Sequence, residues 1–188
     1  PIVTMAGDTG FSELFFTDAR VPVSAMLGAL NEGWTVATST LSNERAGVAS
    51  LYLSLRRKLD RLLEVACQPG PDGARPIDGR VARDALMARY IDARNLEFLA
   101  KRSLGAALSG RPPGAEGSVI KLAWARSEQA VALTAIDVLG LGALDGPWGA
   151  GMLGSRSLTI AGGTTEVNKN IVAERVLGLP REPKPSTS

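Results

Sequence analysis

From Leu41 to Leu63 the apolar residues recur at helical spacing, at Leu41, Val48, Leu51, Tyr52, Leu55, Leu59, Leu62 and Leu63. At about 100° per residue they fall in one stripe roughly 100° wide. Arg57, Lys58, Asp60, Arg61 and Glu64 lie on the other side. A helix with one apolar face must bury that face against another layer, so this stretch commits the chain to a packed helical architecture. The pattern opens at Asn31-Glu32-Gly33-Trp34 and should stop before the breaker-rich Gln68-Pro69-Gly70-Pro71-Asp72-Gly73.

Three further helices follow from the same reasoning. The second runs from about Gly79 to Leu108, with Val81, Leu86, Ile91, Leu96, Leu99 and Leu104 among its apolar residues, and Gly110-Arg111-Pro112-Pro113-Gly114 stops it. The third is rich in Ala, runs from about Ser118 to Val138 and ends at Gly140-Leu141-Gly142. A Gly-rich stretch from Gly146 to Gly154 has room for a short helix around Met152. The last helix starts near Thr164 and ends near Leu177, with Gly178 as its C-terminal cap and Pro180 beyond. Long helices joined by short loops give a mainly α fold, an antiparallel four-helix bundle over residues 29–180.

Residues 1–28 read differently. Ser12-Glu13-Leu14-Phe15-Phe16-Thr17-Asp18-Ala19-Arg20-Val21-Pro22-Val23 mixes aromatics, β-formers and a proline, which predicts strand and turn. An isolated strand pair is marginal in water, so the expectation is that this segment and its linker close a larger β domain lying upstream. The chain opens on Pro1 rather than Met, which fits residues preceding it. Residues 181–188, with two prolines and Ser/Thr, predict a disordered tail. No internal repeat is visible.

Composition narrows the chemistry. The 188 residues contain no His, which excludes His-based triads and His-containing metal sites. The single cysteine, Cys67, allows no intrachain disulfide and fits a reducing, cytoplasmic compartment. The net charge of +2 and the lack of a basic run with interleaved aromatics argue against nucleic acid as a partner. No apolar run approaches the ~18–20 residues of a membrane-spanning helix, so no membrane insertion is expected.

Two groups of residues stand out. With Leu41 as origin, Glu44 falls at about 300° and Arg45 at about 40°, both at the borders of the apolar stripe. A carboxylate there is partly desolvated and needs a partner or a task, and desolvation moves its pKa toward the range of a general base. The same placement also fits a Glu–Arg pair that fastens the helix to a neighbour. Gly162-Gly163-Thr164-Thr165-Glu166 is the second group. Two glycines and a capping Thr present free backbone N–H groups at a helix start, a site for a phosphate or an electron-rich cofactor oxygen. An ordinary glycine turn with a cap explains the residues equally well. Trp34, Trp124 and Trp148 read as packing residues. Asp78, Arg80, Arg83 and Asp84 read as a solvated helix start, and Cys67 has no base in sight.

Taken together these motifs resemble the C-terminal part of acyl-CoA dehydrogenases. Phe11 to Pro22 is similar to the end of their middle β domain, and Leu27-Gly28 through Trp34 to the linker into their C-terminal helical domain. Ser39-Thr40-Leu41-Ser42-Asn43-Glu44-Arg45-Ala46-Gly47 resembles that domain's first helix. Ile160-Ala161-Gly162-Gly163-Thr164-Thr165-Glu166-Val167, continued by Asn170 to Pro180, resembles its last. The likeness runs from Phe11 to Arg181.

The resemblance implies an FAD enzyme that desaturates acyl-CoA thioesters. In that family a Glu removes the pro-R α-proton while the β-hydrogen leaves as hydride to the flavin, and the electrons pass to an electron-transfer flavoprotein. It implies Glu44 as the base, Arg45 and Leu41 on the substrate side, and Gly162, Gly163, Thr164 and Glu166 on the FAD side. It also implies a homo- or hetero-oligomer, dimer or tetramer, through the helical domain. A fragment of this size is expected to be inactive alone.

Two departures qualify the likeness. Many members place the base just before the Gly-Thr of the last helix, where this chain has Gly162; a minority place it on the first helix before an Arg, as Glu44 stands before Arg45. The family's Arg-x-x-Phe-Gly segment, which reaches the FAD of a neighbouring subunit, is missing from Cys67–Arg83, as is its downstream Gln. Asp137 also replaces the usual Gln ahead of Val138, Leu139 and Gly140. The mixture resembles actinobacterial members built from two different subunits, often acting on steroid or branched acyl-CoA. Three functions therefore stand side by side: a catalytic subunit with Glu44 as base, a silent partner subunit of a heterotetramer, and a helical-bundle interaction module.

Overall fold

The computed structural model describes residues 1–44, Gly47, 50–111 and 114–181, without the side chains of residues 41–44. Six α-helices follow in order: α1 (Gly33–Glu44), α2 (Leu51–Ala66), α3 (Arg80–Leu108), α4 (Glu116–Leu139), α5 (Pro147–Gly154) and α6 (Thr165–Ile171). The fold is mainly α, a helical bundle as the periodicity predicts. Among the described residues no helix is long and apolar enough to cross a membrane.

The core is made where α2, α3 and α4 pack on one another. Leu55, Leu59 and Leu62 of α2 meet Leu86, Ala93 and Leu96 of α3 and Ile120, Val131 and Ala135 of α4. The five Leu of α2 and α3 in this cluster, Leu55, Leu59, Leu62, Leu86 and Leu96, are fully buried. Burying one such side chain contributes roughly 1.5–3 kcal/mol by transfer alone. Trp124 and Trp148 pack on the edge of this cluster, as expected for packing residues. The central element is α4, which touches α2, α3, α5 and α6, so its buried residues spread over several faces. α5 lies close against the 3-10 turn Leu141–Leu144. A Cβ at Gly149 would sit 1.9 Å from the Leu144 carbonyl oxygen, so only glycine allows this approach.

The single helical run read from Asn31 to Cys67 is two helices. Between α1 and α2, Gly47 and Ser50 are in 3-10 conformation and the Ser50 hydroxyl donates to Gly47 O at 2.8 Å. Gly is a poor helix former and a Ser hydroxyl competes for backbone acceptors, which weakens the run at this point. Among the described residues α1 makes no extensive contact with the other helices, and Trp34, expected to pack, is 79% exposed.

The strand expectation for residues 12–23 is corrected as well. Among the described residues one antiparallel bridge joins Ile2 and Phe11, with Ile2 N donating to Phe11 O at 2.7 Å, and no strand forms. Phe15 and Phe16 are exposed, and a 3-10 turn covers Val23–Ala25. A strand requires a partner for its backbone groups, and this segment finds none within the described chain.

The last helix is shorter than its periodicity predicts. After Ile171 the backbone widens to π-helical pairing over Val172–Val176, with Leu177 N donating to Val172 O at 3.0 Å. Gly178 at φ +68° then ends it, with Leu179 N donating to Ala173 O at 2.9 Å, a bond one residue wider than an ordinary glycine cap because the last turn is π-helical. Residues 182–188, expected to be a disordered tail, lie outside the described residues.

Candidate functional site

The turn before α6 is built from the inside. Gly162 and Gly163 adopt φ of +67° and +91°, a region closed to most L-residues. Thr164 then caps α6 in extended conformation, its hydroxyl accepting the Val167 amide at 3.2 Å. Asn168, buried one turn into the helix, donates its side-chain amide to Gly163 O at 2.8 Å, Thr164 O at 3.0 Å and Gly162 O at 3.4 Å. A Cβ on Gly163 would lie 2.9 Å from that amide nitrogen. Three consecutive carbonyls are thereby drawn inward.

A second donor arrives from α4. The Lys121 ammonium, on a side chain only 5% exposed, donates to Gly163 O at 2.6 Å. Burial pulls its pKa below the ordinary lysine value, partly offset by the negative charge of Glu166. Lys121 thus ties the middle of α4 to the start of α6. Neither Lys121 nor Asn168 is singled out by the sequence motifs. The available signal is the spacing Ser118, Lys121, Ala125, Glu128, Ala132 on α4, which places two charges on a face of small and apolar residues.

With their carbonyls turned in, these residues leave the N–H groups of Thr165 and Glu166 without intrahelical acceptors at the open end of α6. Thr165 is half-buried and Glu166 exposed. Such a donor set suits an electron-rich oxygen of a cofactor. It does not suit a metal, and among the described residues no group of three or more His, Cys, Asp or Glu could hold one. Gly162, Gly163 and Thr164 thus form the turn, and Glu166 lies in the first turn of the helix it opens.

The other predicted residues fall elsewhere. Glu44 is the last residue of α1 and Leu41 lies one turn before it, but their side chains, with Arg45 entirely, lie outside the described residues. Their relation to the α6 turn is therefore an expectation. Asp137 is exposed near the C-terminal end of α4, where Gly140 at φ +80° terminates the helix. Asp78 pairs with Arg75 at 2.8 Å in the open, a solvated helix start as expected, and this contact holds its carboxyl below the usual range. Cys67 is exposed and caps α2.

A shallow groove of about 340 Å³ lies between the Gln68–Gly70 loop, Leu139 and Trp148. It sits at the C-terminal end of α4, some 18 residues or about 27 Å along the axis from Lys121. It is separate from the α6 turn.

Comparison with known proteins supplies an independent line. Residues 31–177 match the family described as acyl-CoA dehydrogenase, C-terminal domain. Acyl-CoA dehydrogenase IpdE1 of Mycobacterium tuberculosis is 34% identical over 192 residues, covering 98% of this chain and 48% of that protein. Acyl-CoA dehydrogenase FadE34 of the same organism is 36% identical over 185 residues, covering 96% of this chain and 24% of that protein. Of solved structures, the Tcur3481-Tcur3483 steroid ACAD superposes with a TM-score of 0.82 at 23% identity, covering 97% of this chain and 48% of that one. Butyryl-CoA dehydrogenase from Megasphaera elsdenii superposes with a TM-score of 0.75 at 21% identity, covering 86% and 43%. At these identities the superpositions speak for the fold alone. The chain spans about half the length of the IpdE1 relatives it matches.

Proposed function

The chain belongs to the acyl-CoA dehydrogenase family, and from that membership we propose that it is the C-terminal part of an FAD-dependent enzyme that introduces an α,β double bond into an acyl-CoA thioester. The observation that supports this reading most directly is the turn before α6, where the Gly163 carbonyl is tied to Lys121 and Asn168 and the first N–H groups of the helix are left without helical acceptors, a donor set that suits an electron-rich cofactor oxygen. Gly162, Gly163, Thr164 and Glu166 would hold the cofactor there. FAD, when bound, supplies the two-electron acceptor.

The chain's own contributions are position and a base. Glu44 takes the α-proton of the thioester, with Arg45 and Leu41 on the substrate side; its support is its place before Arg45 at the end of α1. A carboxylate can serve only if the flanking helix edge keeps it partly desolvated, which raises its basicity. The electrons then leave for an electron-transfer flavoprotein, in the cytoplasm. Residues 1–28 complete a β domain, 29–180 form the helical domain, and the assembly is a homo- or hetero-oligomer through that domain. The 188 residues alone are expected to be inactive. A substrate panel decides the length of the acyl chain and whether it is branched or steroid-derived.

The absence of a carboxylate at Gly162, together with the missing Arg-x-x-Phe-Gly segment, favours one rival reading, a silent subunit that completes a heterotetramer. One experiment separates the two. The full-length gene product, alone and with a candidate partner subunit, is assayed for bound flavin absorbance and for desaturation of acyl-CoA. Glu44→Gln should abolish turnover while flavin stays bound. Unchanged turnover removes the base assignment, and absence of flavin in every combination removes the enzyme reading.

A further inference from the structure

Beyond the residues of the α6 motif, one side chain from another helix reaches into the turn. Lys121 is a lysine with 5% of its surface exposed, so its charge is held in the protein interior. Burying an ammonium is costly unless it is paired or donates to strong acceptors. Its carboxylate neighbour, Glu166, is exposed and contributes only at a distance. The acceptor it reaches is the Gly163 carbonyl at 2.6 Å. That carbonyl belongs to the residue with φ of +91°, and it is shared with the Asn168 amide at 2.8 Å. A charge-assisted bond of this kind is roughly twice as strong as a neutral one.

We propose that Lys121 is the positioning residue of the Gly162–Thr164 turn: anchored in α4, it holds the Gly163 carbonyl inward and so fixes the direction of the N–H groups at the start of α6. The proposal rests on the reading of this turn as the flavin-facing surface. Its structural part, the clamp itself, stands independently of that reading. Asn168 alone binds the turn only to its own short helix, whereas Lys121 refers it to the bundle. An exposed lysine on a helix surface would have no such effect, and an apolar residue of equal volume would fill the space without orienting the peptide.

The test uses Lys121→Met, which keeps the length of the side chain and removes the donor, and Lys121→Arg, which keeps a donor. The first measurement is amide hydrogen exchange of Val167 and Asn168, which donate to the Thr164 hydroxyl and carbonyl. Lys121→Met should accelerate both at least tenfold while the core amides around Leu59 and Leu96 keep their protection. Lys121→Arg should restore most of it. Unchanged exchange at Val167 and Asn168 overturns the proposal, and so does a uniform loss of protection across α2, α3 and α4, which marks a merely structural role. If Lys121→Met does not fold, retained protection of the two amides in Lys121→Arg supports the clamp and its loss overturns it. The second measurement is the affinity of the full-length gene product for FAD, expected to fall at least tenfold in Lys121→Met with little change in the thermal midpoint of the flavin-free protein. If wild type binds FAD and the loosened variant binds it equally well, the positioning role falls. If neither binds FAD, the flavin reading falls and the exchange data alone decide the clamp.

Discussion

Lys58 of α2 and Glu128 of α4 form an ion pair across the bundle in which the Glu128 side chain is almost wholly buried, at 3% exposure, while the Lys58 side chain keeps 34%. Ser54, one turn before Lys58, adds a hydroxyl donor to the other carboxylate oxygen at 3.4 Å. A salt bridge with one wet and one dry partner is asymmetric, because only the buried charge is stranded when the pair is broken.

Lys58→Met should therefore destabilise the chain by about 2–4 kcal/mol, since Glu128 is left charged and buried. Glu128→Gln should cost less, about 1–2 kcal/mol, because the lysine can turn to water and the amide keeps an acceptor for Ser54. A double-mutant cycle by chemical denaturation measures the coupling, and equal losses for the two single variants would contradict the asymmetry.

α3 carries apolar residues on opposite faces with opposite fates. Leu96 is fully buried, whereas Ile91 is 55% exposed on the outer side with Met87 and Phe98. Leu96→Ala should cost about 2–5 kcal/mol through transfer and cavity terms. Ile91→Ala should stay within about 0.5 kcal/mol in the isolated chain. A large loss for Ile91→Ala would mean that this face is covered in solution, which sedimentation of the wild-type chain would show as self-association.

The two glycines of the α6 turn differ in what surrounds them. Gly162→Ala meets open space and only the strain of its φ, about 1 kcal/mol. Gly163→Ala adds a contact with the Asn168 amide at 2.9 Å, so it should cost more, about 2–3 kcal/mol, and weaken all three bonds of that amide. Thermal denaturation ranks them; the reverse order would place the strain elsewhere.

Lys121 should leave a mark on the pH dependence of stability. Its folded pKa is lowered by burial below the ordinary value of 10.5, so between the two values the unfolded chain binds more protons. Stability of the wild type relative to Lys121→Met should therefore rise as pH increases through that window, and be flat below it. Paired denaturation series from neutral pH to above 10.5 check the sign; a relative fall with rising pH would show that the charged form is the favoured one in the folded state.

The helices of the bundle were legible because their information is local and repeated. Leu55, Leu59 and Leu62 share a face by spacing alone, Pro69, Gly70 and Pro71 end a helix whatever surrounds them, and Gly178 marks a left-handed cap that few other residues could take. The Gly162-Gly163-Thr164 motif likewise declares a turn and a capped helix start. The break between α1 and α2 was not legible, since one Gly and one Ser interrupt a periodic stripe only weakly.

By itself, then, the sequence determined where α2, α3 and α4 run, which face of α2 is buried, where the turn before α6 lies, and the family to which these motifs point. Tertiary structure alone decided that Lys121 reaches Gly163 and that Lys58 reaches Glu128, pairs separated by 42 and 70 positions along the chain. It also decided that residues 12–23 form no strand and that Trp34 is exposed. The physical reason is common to all four. A propensity or a periodicity is satisfied within a few residues, whereas a buried charge, a strand edge or an aromatic face is satisfied only by whatever partner the folded chain brings to it.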